Sequence, residues 1–344
     1  MGTNLRPIIL KKETSLEQLK WKRLAVDGNN MLYQFLSVIR LLDGGPLKDS
    51  RGNITSHLAG LAFRTTRLVA EHRILPVFVF DGKPPVLKAD EIEKRDEMRK
   101  RYALEWREAL EKRDYAKAFS KAVMTARLTK DMVDDAKLLL QLLGIPYIQA
   151  PSEAEAQCAY MAMKGDVWAA NSRDYDSLLF GAPRLVRYIT ISGKEFLPSR
   201  GISRKLRPEL IELREFLLHH GITREQLIDL AILIGTDFNY GIRGVGPKKA
   251  LKLMRLHKSL DYLPQDLRSQ LPRNYEEIRE IFLKPAVTDD YNLAYESPNE
   301  EGLLRFLCEE HDFSSDRVEK VIVRMRGVSQ SINAQSGLEN WFDN

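Results

Sequence analysis

The chain has 344 residues, and a composition of 44% hydrophobic and 29% charged residues excludes a disordered or fibrous protein. No apolar run reaches the roughly 18 residues of a membrane span, and the start MGTNLRPIILKKE is too short in apolar residues for a secretion signal, so we expect a cytoplasmic protein. Two cysteines exclude a disulfide framework, while a net charge of +5 leaves polyanion binding open.

The first predicted unit is a short strand followed by a helix. Residues 24–26 are apolar and end in Asp27, and the helix at residues 31–42 has an apolar face for the core. The residues of that face are Met31, Leu32, Phe35, Leu36 and Ile39. Tyr33 lies off this face, and by itself it indicates only an aromatic residue at the rim of the core.

The second predicted strand, residues 76–80, is apolar throughout, which is typical of a strand buried on both faces of a parallel sheet. It ends in Asp81 and Gly82. Aspartate beside glycine is ordinary turn chemistry, so neither Asp27 nor Asp81 indicates a functional site by itself.

Residues 82–129 have many interleaved charges and too few apolar positions for a core. One interpretation is a solvated helix stabilised by ion pairs between residues four apart. However, Lys88, Arg95 and Arg99 are seven and four residues apart, so a helix places them on one face. An exposed helical insertion with such a face could hold a phosphate backbone.

The segment that organises the sequence, residues 144–181, follows a predicted core helix at 130–143. It has the pattern of a strand at 145–149, a helix at 153–163 and a strand at 167–170. This is a βαβ unit, whose two strands should be parallel.

Two pairs of acids flank this unit. Glu153 and Glu155 follow its first strand, and Asp174 and Asp176 follow its second. Each pair has a structural alternative, because Ser152 and Glu155 fit a helix capping box and loop aspartates are commonly solvated. The argument for function is that strands ending near residues 26, 80, 149 and 170 all bring acids to the sheet edge where ligands bind.

A further acid, Asp237, follows a predicted apolar helix at residues 226–235. Crowded carboxylates repel one another unless a cation lies among them, and Mg²⁺ prefers such oxygen ligands. The set therefore suits two-metal-ion hydrolysis of phosphodiesters. The candidate metal ligands are Asp27, Asp81, Glu153, Glu155, Asp174, Asp176 and Asp237.

A glycine-rich turn at residues 241–246 precedes Lys248 and Lys249 and separates two predicted helices. Glycines let the backbone approach a phosphate, and amides at the next helix start can bind it, although the turn could also be only an interhelical connection. The end of the chain, residues 328–344, is polar and expected to be flexible. Its Trp341 and Phe342 either dock back on the domain or enter a partner's pocket.

Four stretches together resemble the flap endonucleases, the 5′ structure-specific nucleases of archaeal and eukaryotic replication. They are LAVDGNNMLYQFL, PVFVFDGKPPVLK, GIPYIQAPSEAEAQCAYM with NSRDYDSLLFG, and IGTDFNYGIRGVGPKKAL. The resemblance implies an α/β fold with a twisted, mainly parallel sheet flanked by helices on both faces. It places a helical arch at about 82–129 and a helix-turn-helix element at about 224–258, within a single nuclease domain of residues 1–327.

The resemblance also implies roles for individual residues. Two Mg²⁺ ions, with Mn²⁺ as a substitute, are expected in two clusters, one of Asp27, Asp81, Glu153 and Glu155 and the other of Asp174, Asp176 and Asp237. Lys88 and Arg95 are implied to contact the scissile phosphate and to be catalytic with Asp27, Asp81, Glu153 and Asp174. Tyr33 is implied to be the aromatic residue that stacks on a base beside the cleaved bond.

The implied contacts with DNA extend from the N-terminus to the glycine turn, where the family also binds K⁺. They are Gly2, Tyr33, Lys88, Arg95, Arg99, Gly241, Gly244, Gly246, Lys248 and Lys249. The tail at 328–344 resembles a box that docks on the replication sliding clamp, through Gln335, Leu338, Trp341 and Phe342. One departure is Arg173, at a position where the family more often has an acidic or neutral residue.

We therefore expect a monomeric, archaeal-like, Mg²⁺-dependent 5′ flap endonuclease and 5′ exonuclease of DNA replication and repair, which leaves 5′-phosphates. Its specificity should come from DNA shape and backbone rather than from base readout. Two alternatives stay open: a clamp-tethered DNA-binding scaffold without hydrolysis, and a related nuclease that prefers bubbles or gapped ends.

Overall fold

The computed structural model of the protein describes residues 2–41, 43–190, 193–197, 202–328 and 331–332. In chain order, strands β1 to β11 are Lys12–Glu13, Arg23–Asp27, Leu75–Phe80, Tyr147–Gln149, Ala169–Asn171, Arg184–Arg187, Gly193–Leu197, Ile202–Leu206, Glu209–Glu212, Gly235–Thr236 and Asn239–Tyr240.

Helices α1 to α15 are, in chain order, Gly28–Val38, Ser56–Ala59, Thr66–Ala70, Ala89–Glu111, Tyr115–Met124, Lys130–Leu142, Ala154–Lys164, Asp176–Leu179, Leu213–His220, Arg224–Ile234, Pro247–His257, Gln265–Arg268, Tyr275–Leu283, Glu300–Leu304 and Ser315–Met325. Gly60–Thr65 and Arg305–Glu309 form π-helical turns, and Val86–Lys88 and Leu260–Tyr262 form 3₁₀ turns.

Seven strands form one sheet in the order β1-β9-β6-β5-β2-β3-β4. Neighbouring strands from β6 to β4 are parallel, and β9 pairs antiparallel with both β6 and β1. The two strands of the predicted βαβ unit, β4 and β5, lie on opposite sides of β2 and β3 and run parallel to them. The predicted mainly parallel sheet is confirmed.

The central strands are buried on both faces because their side chains alternate between two apolar layers. Ala25 and Val77 face a layer that contains α7 to α11 and α13. Val26 and Phe78, one position further along, face the opposite layer, which contains α1 to α3, α6, α14 and α15. The sheet therefore has helices on both faces, as predicted.

The parallel pairing determines where the functional acids lie. In the register of the sheet, Asp27 at the end of β2 is opposite Val79 in β3, and Val26 is opposite Asn171 at the end of β5. Because these three strands finish at the same edge, the residues that follow them, including Asp81 and Asp174, leave the sheet side by side.

Two helical elements lie beside this edge. The predicted insertion is a helical hairpin of α4 and α5, joined by an ion pair of 2.5 Å between Lys121 and Glu105. The predicted helix-turn-helix element consists of α10 and α11, which pack together across the β10–β11 hairpin and the glycine-rich turn. A capping box of Thr223 and Gln226 defines the start of α10.

The strands of the βαβ unit differ from their predicted bounds. Tyr147 is the first residue of β4, two residues later than predicted, because Pro146 has no N–H to donate to a sheet. The strands β1, β6 and β9 and the β7–β8 hairpin were not predicted, since runs of two to five residues with mixed charge are too short to identify by periodicity. Among the described residues, no helix combines the length and the apolar character needed to cross a bilayer.

Candidate active site

The first acid of the site, Asp27, ends β2 and caps α1. Its carboxylate accepts a hydrogen bond of 2.9 Å from the backbone N–H of Asn30, so the free amides of the helix start favour a negative charge there. Ser172, from the end of β5, donates to the other carboxylate oxygen at 3.4 Å. Asp27 is only 8% exposed.

Asp81 follows β3 and reaches across to the start of α7. Its carboxylate accepts hydrogen bonds from the backbone N–H of Ala154 at 2.8 Å and from the Asn29 side-chain amide at 2.7 Å. The structural alternative for this helix, a capping box of Ser152 and Glu155, is wrong. Ser152 instead donates to a backbone carbonyl at 3.2 Å, and the N-cap residue is Glu153 without a side-chain capping bond. Neither the Glu153 nor the Glu155 side chain therefore caps α7.

Asp174 lies in the loop after β5, and Asp176 begins the short helix α8. Asp174 accepts a 3.0 Å hydrogen bond from the Asn30 side chain, and Asp176 accepts one of 2.8 Å from the backbone N–H of Thr3. Gly2 packs directly on Asp176, because a Cβ built at Gly2 would lie 2.5 Å from its Oδ2 atom. Gly2 thus fixes the N-terminal segment against the acids.

Two cations of the arch contact the acids directly. Lys88 Nζ lies 2.5 Å from Glu153 and 3.4 Å from Asp237, and Arg95 donates to Asp237 at 2.8 Å. Burial alone would lower the pKa of Lys88, but the charges of Glu153 and Asp237 outweigh it and raise the pKa. Burial likewise acts to raise the pKa of Asp237, and Lys88 and Arg95 reverse the effect, so that this carboxyl has a lowered pKa.

Other acids of the site have a raised pKa, including Glu153, for which burial outweighs the charge of Lys88. Burial, followed by repulsion from neighbouring acids, raises the pKa of Asp27 and of Glu155 well above normal. Burial, then the charges of Asp237 and Asp174, raises the pKa of Asp176 to about 7. The site therefore has an excess of negative charge that the arch neutralises only in part.

The residues fit a hard divalent cation by their chemistry. As the side chains lie, no group of three or more His, Cys, Asp or Glu among the described residues is arranged to hold a metal ion. The contacts explain this, because Glu153 forms an ion pair with Lys88, and Asp81 and Asp174 accept hydrogen bonds from the side-chain amides of Asn29 and Asn30. The donors are nevertheless carboxylate oxygens, of which those of Asp27 and Asp176 are buried, and Asn29 Oδ1 is buried and has no hydrogen-bond partner within the described parts of the chain.

A cleft of about 420 Å³ opens between these acids and the arch. Six of the seven predicted acids line it, while Asp176 lies just behind, against Thr3. Tyr33 and Arg99 form part of its wall, where the Arg99 guanidinium donates to the Tyr33 hydroxyl at 3.0 Å. Lys88, Arg95 and Arg99 all line the cleft, as their helical spacing predicted.

The predicted DNA-binding glycines differ in their surroundings. Gly241 packs against α10, since a Cβ there would lie 2.3 Å from the backbone of Ile234, whereas Gly244 and Gly246 have open space where a Cβ would be. Gly246 is the N-cap of α11, which has no side-chain cap, so backbone amides are available at that end. Lys248 and Lys249 follow in the first turn of the same helix.

The DNA contacts assigned to these glycines and lysines stay predictions, as does the K⁺ site. The predicted clamp residues lie outside the described residues. These are Gln335, Leu338, Trp341 and Phe342. The proposed domain bounds also stay predictions.

Family profiles, relatives and a solved structure all match this chain over most of the region that forms the site. The XPG N-terminal domain profile matches residues 3–102, and the XPG I-region profile matches residues 144–237. Flap endonuclease 1 of Pyrococcus abyssi is 51% identical over 99% of this chain and 98% of its own, and that of Pyrococcus furiosus is 52% identical over 99% of both chains. The solved flap endonuclease-1 of Methanococcus jannaschii is 43% identical, covers 96% of this chain and 99% of its own, and superposes with a TM-score of 0.77.

The chain belongs to the flap endonuclease family. The predicted archaeal-like membership and structure-specific flap endonuclease activity, with its roles in replication and repair, are thereby confirmed. The acids lie within the two matched regions, Asp27 and Asp81 in the first and the other five in the second. A scaffold without hydrolysis is accordingly excluded as the general class, and the nuclease activity is that of a hydrolase.

Sequence reasoning missed the amide side chains of this flap endonuclease that support the acids. Asn29 donates to Asp81 and Asn30 donates to Asp174, while the Gln34 side chain donates to the side-chain oxygen Oδ1 of Asn30 at 2.8 Å. A signal was present, because two asparagines in the first turn of a helix are poor helix formers unless their side chains have specific partners.

We expect Asp176→Asn to stabilise the metal-free enzyme. Asparagine can still accept the Thr3 bond, and it removes a buried charge that faces Asp174 and Asp237. When the pKa of an acid is higher in the folded than in the unfolded state, the protein becomes less stable as pH rises through the folded pKa. Near pH 4, the variant and the wild type should therefore unfold at the same urea concentration. At pH 8 in EDTA, the variant should be more stable than the wild type by roughly 2 kcal/mol, given about 1.4 kcal/mol per pKa unit and repulsion that is shared among neighbouring acids.

The control for this prediction is Asp134→Asn, which changes an exposed acid of α6. It should leave the pH profile of unfolding unchanged. A destabilised Asp176→Asn enzyme at pH 8 would contradict the repulsion that we assign to the cluster.

Proposed function

We propose that this enzyme hydrolyses a DNA phosphodiester beside the junction of a 5′ flap and a duplex, as both endonuclease and 5′ exonuclease, and leaves a 5′-phosphate. The observation that carries the proposal is the convergence of six carboxylates beneath a basic arch, in a cleft that also contains Tyr33 and Arg99. In replication, this reaction would remove flaps during Okazaki fragment processing.

Two divalent cations, Mg²⁺ or Mn²⁺ as its substitute, would bind in this cleft. The first would be held by Asp27, Asp81, Glu153 and Glu155, and the second by Asp174, Asp176 and Asp237. Bound there, such ions supply the positive charge and the activated water that phosphodiester hydrolysis requires. The excess negative charge of the described site supports this assignment, because it is unfavourable without cations.

Lys88 and Arg95 would exchange one set of partners for another during the reaction. In the DNA-free protein, their positive charges are paired with Glu153 and Asp237. A phosphate of the substrate offers the same kind of charge-assisted bond, and Arg95 can bind it with two N–H groups. Transfer of both cations to the phosphate would release the carboxylates for metal binding, so that DNA and metal favour each other's binding.

Other parts of the chain would position the DNA. Tyr33 offers a ring for a nucleobase to stack on, with Arg99 over its other side at 5.7 Å. The open space at Gly244 and Gly246 and the uncapped start of α11, with Lys248 and Lys249, suit the backbone of the duplex, and a K⁺ ion would bind at that turn. Gly2 would lie close to the DNA near the acids, and the clamp box would tether the monomeric enzyme to the sliding clamp.

The first test is cleavage of a double-flap DNA with a labelled 5′ flap. We expect wild-type enzyme with Mg²⁺ to release the flap together with the adjacent duplex nucleotide as a 5′-phosphate product. EDTA and Asp174→Ala should abolish the reaction, and Asp134→Ala on the exposed face of α6 should leave it unchanged.

Tight binding without cleavage in any divalent metal would refute the proposed reaction. Bubble and gapped substrates belong in the same assay. Faster cleavage of those substrates than of the double flap would identify the related nuclease class instead.

We also expect Lys88→Met to bind Mn²⁺ more tightly in the absence of DNA while it cleaves more slowly. Removal of the ammonium frees Glu153 and Asp237, and a gain of about tenfold in affinity corresponds to about 1.4 kcal/mol of lost competition. Cleavage should fall roughly 100-fold, because a positioned cation on the scissile phosphate is lost.

Lys94→Met provides the matched control on the same helix. Lys94 lies over the Tyr240 ring at 4.7 Å, and within the described parts of the chain it forms no ion pair with the acids, so Mn²⁺ affinity should stay at the wild-type value. Unchanged or weaker Mn²⁺ binding by Lys88→Met, measured by titration calorimetry, would contradict the exchange of partners described above.

A further inference from the structure

Arg187 is a buried arginine at the end of β6 with no role in the proposed chemistry. It is only 7% exposed, and it lies on the strand next to β5, from which the loop of Asp174 and Asp176 leaves the sheet. An arginine buried to this degree requires hydrogen-bond partners for most of its five N–H groups. The hydrogen-bond partners of Arg187 show which part of the chain its side chain holds in place.

The Arg187 guanidinium holds the backbone immediately before Asp174. Nε and Nη2 both donate to the carbonyl oxygen of Arg173, at 3.0 and 2.7 Å. Nη1 donates to the Tyr175 hydroxyl at 2.7 Å, and the guanidinium lies over the Tyr175 ring at 4.3 Å. The residues on both sides of Asp174 are therefore fixed by one side chain.

The same guanidinium is anchored on its other side. It donates to Glu209 of β9 at 3.1 Å and to the Tyr188 hydroxyl at 2.9 Å. Glu209 also pairs with Lys11 at 2.5 Å, which ties the anchor to the N-terminal segment. The acid loop is thus connected rigidly to the sheet through β6 and β9.

A structural ion pair between β6 and β9 is the simpler explanation of Arg187, but most of its hydrogen bonds go to the loop of the acids. Of the five hydrogen bonds that Arg187 donates, three go to the loop of the acids and one goes to Glu209. Asn30 meets this loop from the opposite side, through Asp174 at 3.0 Å and the Arg173 N–H at 3.3 Å. The loop is held between two polar side chains.

We propose that Arg187 is a positioning residue that sets the second metal cluster by holding the backbone on both sides of Asp174. The inference rests on the proposed function, since it assigns Arg187 a purpose only if Asp174 and Asp176 bind a divalent cation. The planar fork of arginine is required, because two N–H groups converge on one carbonyl oxygen while the third reaches a hydroxyl. Outer-shell groups of this kind commonly change metal affinity by about 10–100-fold when replaced.

The test is Arg187→Lys, which keeps the charge and loses the fork. We expect Mn²⁺ affinity, measured by electron paramagnetic resonance titration of the DNA-free enzyme, to fall about tenfold. The Mg²⁺ concentration for half-maximal flap cleavage should rise by a similar factor, while kcat at saturating Mg²⁺ and KM for DNA stay near wild type. A purely structural role would lower the fraction of active enzyme without shifting metal affinity.

Arg184→Lys is the matched control, because Arg184 lies on the same strand and donates to a backbone carbonyl, that of Trp168 at 3.3 Å, away from the acids. If Arg187→Lys does not fold, Tyr175→Phe removes only one acceptor of the fork and should shift Mn²⁺ affinity in the same direction by less. Wild-type Mn²⁺ affinity in the folded variants would overturn the inference. Absence of Mn²⁺ binding by the wild-type enzyme would instead refute the proposed function.

Discussion

Repulsion among closely spaced carboxylates is the constraint on which the structure of this site depends. The parallel strands β2, β3 and β5 end at one edge and bring their acids together, where burial and neighbouring charges raise the pKa of Asp27, Glu155 and Asp176. The surrounding polar groups reduce this repulsion. Helix amides favour the charges of Asp27 and Asp81, asparagine side chains bond Asp81 and Asp174, and arch cations pair with Glu153 and Asp237.

Under the proposed function, this arrangement would couple DNA binding to metal binding. The arch is too poor in apolar residues to be held by a core of its own, and its basic face is attached to the site through charge. Such pairs exchange readily for other anions, since a phosphate can replace a carboxylate as the partner of Lys88 or Arg95. On the proposed exchange, such an enzyme would reserve its full metal-binding capacity for the complex with DNA, whereas Arg187 and Asn30 hold their loop without DNA.

The sequence was sufficient to predict four parallel strands and the acids that follow them, but not the polar side chains that support those acids. Strands such as PVFVF are apolar throughout and end in an acid, so both the parallel sheet and the functional edge followed from local pattern. Arg187 and Glu209 could not be recognised, because short strands of mixed charge carry little periodicity and the contacts join residues distant along the chain. The contact of Asp81 with the start of α7 was hidden for the same reason, and a local capping box was the more obvious interpretation.

The central claim is that the converging carboxylates bind two divalent cations. A crystal of the enzyme in complex with flap DNA, soaked in Mn²⁺ and measured for anomalous scattering, tests it most directly. We expect two peaks in the cleft, one beside Asp27, Asp81, Glu153 and Glu155 and one beside Asp174, Asp176 and Asp237. A map without peaks among these acids, from a crystal that binds Mn²⁺ elsewhere, would contradict the account.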